Sequence, residues 1–200
     1  MIDLRIESVS RPLAASRATA HVALHLLIRA QVMGYLPADV QGPVVLDLEL
    51  LDRICANVAA AGVATRTVSL LPLRGEKIEE ALRAIIEAVD ASPNPAGEWA
   101  PSRQVLGDEL LAGLLDISES SLRRYAGGER TTPDEVAWRL HGIARMLAGL
   151  LGSFNEYGVR RWFARPVVQL GGEPPATVIR GAESEDELEP AIAFAMSLAG

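Results

Sequence analysis

The fifteen residues from Leu111 to Tyr125 constrain the fold more than any other part of the chain. Two apolar repeats at helical spacing are separated by Asp116, a residue type that tolerates the left-handed backbone of a tight turn. Ala112 is small enough for two helices to cross closely beside it. Apolar residues take the inward positions on both sides of the turn: Leu111, Leu115, Ile117, Leu122 and Tyr125. The pattern predicts two helices joined by a short turn, a helix-turn-helix.

The second predicted helix has a polar outer face. Ser118 stands at its N-cap position, where the hydroxyl can accept a hydrogen bond from the amide of Ser121 or of the residue before it. Arginine side chains read guanine edges or bind phosphate, and serine hydroxyls suit contacts with the DNA backbone. We therefore expect DNA contacts from Ser118, Ser120, Arg123, Arg124 and Arg130. A helix-turn-helix that binds only proteins also fits the pattern.

The overall charge argues against a nucleic-acid partner until it is counted by segment. The chain carries 26 acidic and 19 basic side chains, a net charge of −7 with a pI near 5.0. Residues 120–165 hold eight Arg against four acidic residues, whereas residues 167–200 hold six acidic residues and one Arg. Because phosphate binding requires a basic surface, the local excess of positive charge keeps DNA as a candidate partner.

The remaining sequence predicts a mainly α fold with minor β-structure near its start. Alternation at Ile2, Leu4 and Ile6 predicts a strand, and Val63–Leu70 is a short β-rich segment. Apolar spacing predicts helices over about 13–33, 44–61, 76–89, 104–115, 119–126, 133–152 and 155–163. Thr132 is the predicted N-cap before Pro133. The turn-rich segment 91–97 separates an N-terminal domain over 1–95, helical with minor β and of unassigned role, from a helix-turn-helix bundle over 98–152.

Residues 153–200 carry a characteristic series of glycine, aromatic, proline and leucine positions: Gly158, Trp162, Phe163, Pro166, Leu170, Gly172 and Pro175. In order and spacing, this series resembles the small, α-rich C-terminal toxin-binding domain of the Xre/MbcA/ParS antitoxins, the partners of RES-domain toxins. The preceding helix-turn-helix, through Arg124-Tyr125 and Gly128-Glu129-Arg130, resembles the DNA-binding half of that family. The resemblance covers residues 98–200, about half of the chain.

The resemblance implies an antitoxin of a type II toxin–antitoxin system. Such a protein neutralises a RES-domain toxin that consumes NAD by occluding its active site, and represses its own operon through DNA binding. The implied toxin-binding residues are Trp162, Phe163, Arg165, Leu188, Ile192 and Met196. Without the resemblance, two roles remain open for Trp162 and Phe163. Either one of the rings anchors a partner, or both pack within a small core. We expect a homodimer or a hetero-oligomer with the toxin.

Two other functions fit the same sequence. One is a stand-alone helix-turn-helix transcriptional regulator, in which the acidic C-terminal tail (residues 167–200) and the N-terminal domain serve dimerisation. The other is a protein-interaction adaptor with a degenerate helix-turn-helix.

The sequence contains no recognisable catalytic arrangement, so we expect neither an enzyme nor a cofactor. His21 and His25 lie four residues apart on a predicted helix, but no acidic residue or cysteine nearby completes a metal set. The single cysteine, Cys55, lies in an apolar stretch, as expected for a buried thiol in a reducing cytoplasm. No apolar run reaches the roughly 18 residues of a membrane helix. We therefore expect a cytoplasmic protein without a membrane partner.

Overall fold

The computed structural model describes residues 4–64 and 74–199, and these form two compact units divided between Pro93 and Asn94. The described residues are mainly helical with one small sheet, which confirms the predicted fold class. Residues 98–152 and 153–199 lie together in the second unit. Most of the predicted β-rich segment, from residue 65 to residue 70, lies outside the described residues.

The first unit begins with two parallel strands joined through a helix. Its elements are β1 (Leu4–Val9), α1 (Arg17–Val32), β2 (Gly42–Leu46), α2 (Leu48–Ala60) and α3 (Glu76–Asp90), with a 3₁₀ turn at Leu13–Ala15. Leu4 pairs with Gly42 and Val9 with Leu46, and the register shifts between Ile6 and Ser8. Because parallel neighbours need a long crossover, α1 lies between the two strands in sequence.

The predicted helix over 44–61 is wrong at its start. Val44 and Val45 pair with β1, where β-branched side chains fit the pleated surface, and the helix begins only at Leu48. Asp47 caps that helix, since its Oδ1 accepts a hydrogen bond from the Leu50 amide at 2.9 Å. The sequence pattern did not indicate this cap, because the apolar residues of the predicted helix continue towards the N-terminus into β2.

The core of the first unit lies where α1 packs against α3. Ile78, Leu82 and Ile85 of α3 are buried, as the predicted helix over 76–89 requires. Arg29 of α1 donates two hydrogen bonds to Asp90, from Nε at 2.8 Å and from Nη2 at 2.9 Å. Such a bidentate pair satisfies a nearly buried guanidinium at the end of α3.

The expected buried thiol is present in the first unit. Cys55 of α2 is 2% exposed, and burial raises its pKa to about 12. At that pKa the thiol stays protonated and behaves as a small apolar side chain.

The second unit is a helical bundle around one central helix. Its elements are α4 (Pro95–Leu106), α5 (Asp108–Leu114), α6 (Glu119–Ala126), α7 (Asp134–Leu150), α8 (Glu156–Ala164), α9 (Pro175–Gly181) and α10 (Glu189–Ser197), with 3₁₀ turns at Val168–Leu170 and Glu185–Leu188. The central helix, α7, is buried along most of its length and contacts both α4 and α10.

Three predicted boundaries in the second unit need correction. Residues 95–97 belong to α4 rather than to a turn, because Pro95 occupies the first helical position that its ring favours. The predicted helix over 104–115 is two helices, divided at Gly107, whose φ of +81° interrupts the helix. Pro133, not Thr132, precedes α7, and the Thr132 hydroxyl instead accepts a hydrogen bond from Trp99 Nε1 at 3.0 Å.

A buried polar pair joins α4 to α7. His141 Nδ1 lies 2.6 Å from Glu98 Oε1, and both side chains are fully buried. The Asn94 amide donates to the same carboxylate oxygen at 3.2 Å. Because an isolated polar group in a core is costly, this pairing specifies how the two helices face each other.

The C-terminal helix approaches α7 at two glycines. A Cβ on Gly149 would lie 2.5 Å from the carbonyl oxygen of Ala195, and a Cβ on Gly142 would lie 2.6 Å from Leu188 Cδ1. Real Cβ atoms do not come so close to backbone, so only glycine at residue 149 lets α10 pack at this distance. The C-terminal helix α10 is therefore part of the core.

Gly149→Ala should destabilise the second unit. The new methyl group has no room against the α10 backbone, and overpacking of this kind costs about 1–3 kcal/mol of unfolding free energy. Urea denaturation followed by circular dichroism measures the change.

The matched control is Gly113→Ala on α5, where a Cβ meets nothing within 4 Å. Because alanine loses less backbone entropy than glycine on folding, the unfolding free energy of that variant should rise by about 0.5–1 kcal/mol. Equal stability of the two variants would contradict the close contact between α7 and α10.

Candidate functional site

The helix-turn-helix forms as its sequence predicts. α5 and α6 are joined by a turn in which Asp116 adopts φ +53°, the left-handed conformation that aspartate tolerates. The Ile117 amide donates to the carbonyl of Ala112 at 3.1 Å and closes the turn. Ser118 caps α6, because its Oγ accepts a hydrogen bond from the Ser121 amide at 3.1 Å.

The inward face of the motif is apolar and closely packed. Ile117 is partly exposed, and the other predicted inward residues are buried: Leu111, Ala112, Leu115, Leu122 and Tyr125. Their burial leaves the opposite face of α6 in solvent. In proteins that read DNA through this motif, that face of the second helix enters the major groove.

The two arginines on the outer face of α6 differ in their surroundings. Arg123 Nη2 donates to Glu119 at 2.6 Å, and its Nε lies 3.4 Å from Asp108 Oδ2. Arg124 is exposed and forms no ion pair or side-chain hydrogen bond within the described residues. Ser120 is exposed beside them. Arg124 can therefore approach a phosphate or base edge without first leaving an acidic partner.

Contacts with Trp99 of α4 hold the loop that follows α6 in place. Trp99 stacks on Tyr125 with ring centroids 6.2 Å apart, and its Nε1 donates to Thr132 across the loop. The guanidinium of Arg130 lies 5.7 Å from the centre of the Tyr125 ring, at cation–π distance. Trp99 therefore packs against the Tyr125 ring that Arg130 contacts. The sequence alone does not indicate this role of Trp99.

Asp108 connects three helices of the motif. It accepts hydrogen bonds from Arg103 Nε at 2.8 Å and Arg103 Nη2 at 3.0 Å, and it faces Arg123 of α6. Arg103, and to a lesser extent Arg123, hold the pKa of this carboxyl below its ordinary value of 3.8. The charged carboxylate therefore stabilises the relative placement of α4, α5 and α6.

A groove of about 700 Å³ runs along α8. Two of its lining side chains are large, apolar and exposed, Phe154 at 38% and Tyr157 at 67%. Arg161 lies over the Tyr157 ring at 5.7 Å, and Arg165 is exposed at the end of the helix. Trp162 also lines the groove, whereas its Nε1 atom is buried and has no hydrogen-bond partner in the described part of the chain.

The structure separates the six predicted toxin-binding residues into buried and exposed positions. Phe163, Leu188 and Ile192 are buried inside the second unit, and Met196 is partly exposed on α10. Trp162 is 7% exposed and packs edge-on against Phe163 at 5.1 Å, so both rings belong to one core. Arg165 is exposed at the groove.

Three groove residues were not predicted from the sequence. Phe154 lies eight residues and Tyr157 five residues before Trp162, and Arg161 stands directly before it. The sequence did contain one indication of this contact. Arg161 follows Tyr157 by four residues, the spacing at which two side chains on a helix are neighbours.

Neither a metal cluster nor a membrane span is evident in the described ranges. Across residues 4–64 and 74–199, no three His, Cys, Asp or Glu side chains lie close enough to hold a metal ion as they stand. Over the same residues, no helix combines the length and apolar character needed to cross a bilayer.

The chain matches no family model, and neither the curated proteins nor the solved structures searched contain a match to it.

Acidification should weaken the helix-turn-helix through Asp108. Because the folded-state pKa lies below the ordinary value, the pair with Arg103 stabilises the fold above that value and is lost as pH falls through the folded-state pKa. Asp108→Asn should therefore flatten the fall in unfolding free energy between about pH 5 and pH 2, measured by urea denaturation.

Glu109→Gln is the matched control, since Glu109 is exposed on the same turn and makes no ion pair within the described residues. It should keep the pH dependence of the unaltered protein. Identical pH profiles for Asp108→Asn and the unaltered protein would contradict the role of Asp108.

Proposed function

We propose that this protein is a DNA-binding antitoxin that neutralises a RES-domain toxin and represses its own operon. The observation that carries the proposal is the outer face of α6, where a capped helix of a helix-turn-helix presents Arg124 without an acidic partner in the described residues. The toxin as partner rests on the resemblance of residues 98–200 to the Xre/MbcA/ParS antitoxins.

The charge distribution supports two binding surfaces. Several arginines of the basic segment are already paired with acidic residues: Arg123 with Glu119, Arg139 with Glu135, Arg145 with Glu189 and Arg160 with Glu156. The described arginines of that segment without an acidic partner are Arg124, Arg130, Arg161 and Arg165. The first two lie at the helix-turn-helix, and the other two line the α8 groove.

The α8 groove supports the toxin contact. Interface anchors are commonly aromatic and arginine side chains in a concave surface, and Tyr157, Trp162 and Arg165 meet that description. The two positive charges, on Arg161 and Arg165, favour a partner segment that carries carboxylates. Occlusion of the toxin's active site would then depend on this exposed face rather than on Leu188 and Ile192.

The burial of Leu188 and Ile192 favours a second candidate function. These side chains pack α10 on α7 and are not exposed to a toxin, and a stand-alone transcriptional regulator needs no toxin contact from its C-terminal segment. Co-expression with the protein encoded by the neighbouring gene separates the two functions. A stable complex that restores growth supports the antitoxin; DNA binding with no complex supports the regulator.

Arg124→Ala should weaken binding to the DNA directly upstream of the protein's own gene. A base contact would cost about 1–3 kcal/mol of binding free energy, whereas a phosphate contact would lower the salt slope by about 1. Fluorescence anisotropy across a salt series measures both quantities.

Arg123→Ala should have the smaller effect, because Arg123 is already held by Glu119 and Asp108. Arg180→Ala, an exposed change on α9, should leave the affinity unaltered. Unchanged DNA affinity in Arg124→Ala would place the DNA contact elsewhere.

Substitutions in the α8 groove should disrupt the toxin complex. Arg165→Glu reverses the charge that we assign to toxin contact, and Tyr157→Ser removes an exposed aromatic anchor; each should lower the affinity at least tenfold, about 1.4 kcal/mol. Pull-down and growth rescue with the neighbouring gene's product provide the two measurements.

Arg180→Glu is the charge-matched control, since Arg180 is exposed but lies outside the groove. All three variants should retain the thermal stability and the DNA affinity of the unaltered protein. A complex that survives both groove substitutions would exclude this groove as the toxin contact.

A further inference from the structure

The second unit carries an acidic segment between α9 and α10. Residues 183–189 include five acidic side chains and no basic one. Glu185 and Glu189 face Arg145 of α7, at 4.0 Å and 2.6 Å. The other three carboxylates are exposed and have no cation within ion-pair distance among the described residues, and we call them the acidic turn: Glu183, Asp186 and Glu187.

The α8 groove of the same unit has the opposite character. Arg161 and Arg165 line it and have no acidic partner across residues 94–199. The large apolar side chains that the described part of this unit exposes are concentrated on either side of them: Phe154, Tyr157 and Val168, the last at 88% exposure. Exposed apolar side chains that cluster, rather than scatter singly, mark an interaction surface.

The acidic turn does not reach the groove of its own chain. No ion pair joins either groove arginine to the turn in the described ranges. Two bonds from α7 hold the turn on that helix, since Arg139 donates to the carbonyl of Ala182 at 2.9 Å and Arg145 binds Glu189. Leu188 within the same segment is fully buried. The turn is therefore a fixed, negatively charged projection that is open to another molecule.

We propose that the acidic turn of one molecule binds in the α8 groove of a second copy of this chain. In a two-fold symmetric pair each copy gives its turn and receives its partner's, so both contacts form together. Carboxylates from the turn would then face Arg161 and Arg165, and such complementary charges fix which surfaces meet. A second copy is the favoured occupant because the chain itself supplies both the cationic groove and its acidic counterpart.

The overall negative charge does not prevent this contact. Each chain has a net charge of −7, so two copies repel each other at long range. At about 0.15 M salt, charges more than about 8 Å apart in solvent are largely screened, whereas ion pairs in direct contact are screened less. The local match between groove and turn therefore decides the interaction at that ionic strength.

The pair should be weak and reversible. One groove and one short turn on each side form a small interface, of the class found in transient complexes, and we expect a dissociation constant on the order of 10 μM. The protein is then monomeric in nanomolar DNA titrations. Because the groove is also the surface that we assign to the toxin, pairing would mask it; this consequence rests on the proposed function, whereas the pairing does not.

Sedimentation velocity of the full chain over a concentration series tests the pairing. We expect a monomer–dimer equilibrium at about 0.15 M NaCl and weaker association at about 0.5 M NaCl. A groove variant, Arg161→Glu with Arg165→Glu, should associate at least about tenfold more weakly, because like charges then meet in both contacts. A turn variant, Glu183→Lys with Asp186→Lys, should do the same. Glu187 is left unchanged because its Oε2 accepts a hydrogen bond from the Glu183 amide at 3.0 Å.

Mixing the two variants separates a direct contact from damage to the fold. The acidic groove of the groove variant matches the basic turn of the turn variant, and the remaining groove and turn keep their original match. An equimolar mixture should therefore form a heterodimer with about the affinity of the unaltered pair, although each variant alone does not.

Two control variants carry the same changes of net charge elsewhere on the second unit. They are Glu109→Lys with Glu129→Lys and Arg124→Glu with Arg180→Glu, all at exposed positions outside the groove and the acidic turn. Both should self-associate like the unaltered protein.

Several outcomes would overturn the proposal. They are an unaltered protein that stays monomeric up to about ten times the expected dissociation constant, unchanged association in the groove variant or the turn variant, equal losses in the controls, and a mixture that remains monomeric. None of these measurements uses a toxin, so failure of the pairing and failure of the proposed function are distinguished.

Discussion

The second unit depends on the close approach of α10 to α7. Gly149 allows it, since any side chain at that position would meet the backbone of Ala195. Trp162 of α8 stacks on Phe194 of α10 at 6.2 Å, so the same contact also supports the groove. A C-terminal segment held in this way is a structural element. The binding functions that we propose are therefore assigned to two surfaces that this packing leaves exposed, the outer face of α6 and the α8 groove.

Contacts within the second unit account for part of the charge segregation seen in the sequence. Arg145 of α7 binds Glu189 at 2.6 Å, and Arg139 donates to the carbonyl of Ala182 at 2.9 Å. These bonds tie the acidic C-terminal segment to α7. Arg139 and Arg145 are thus used within the fold, and the arginines of residues 120–165 without an acidic partner in the described part of the chain are Arg124, Arg130, Arg161 and Arg165.

Local patterns could be predicted from the sequence, and long-range contacts could not. Asp116 and Ser118 act within one turn of their own position, so their roles followed from residue type and spacing. Val44 was assigned to a helix because only its pairing with β1 makes it a strand residue. Arg29 and Asp90 lie sixty-one residues apart in sequence, so their ion pair could not be seen before α3 was packed against α1.

The same distinction separates two neighbouring arginines on α6. Both follow the inward Leu122 and are equivalent by sequence, but Arg123 points towards Glu119 and Asp108, whereas Arg124 has no described acidic neighbour. Asp108 is already bound to Arg103 of α4, so Arg123 completes a link from α4 through α5 to α6. Its charge is used to hold the helix in place. In the proposed DNA-binding role, Arg123 would fix the orientation of α6 and Arg124 would supply the unpaired cation.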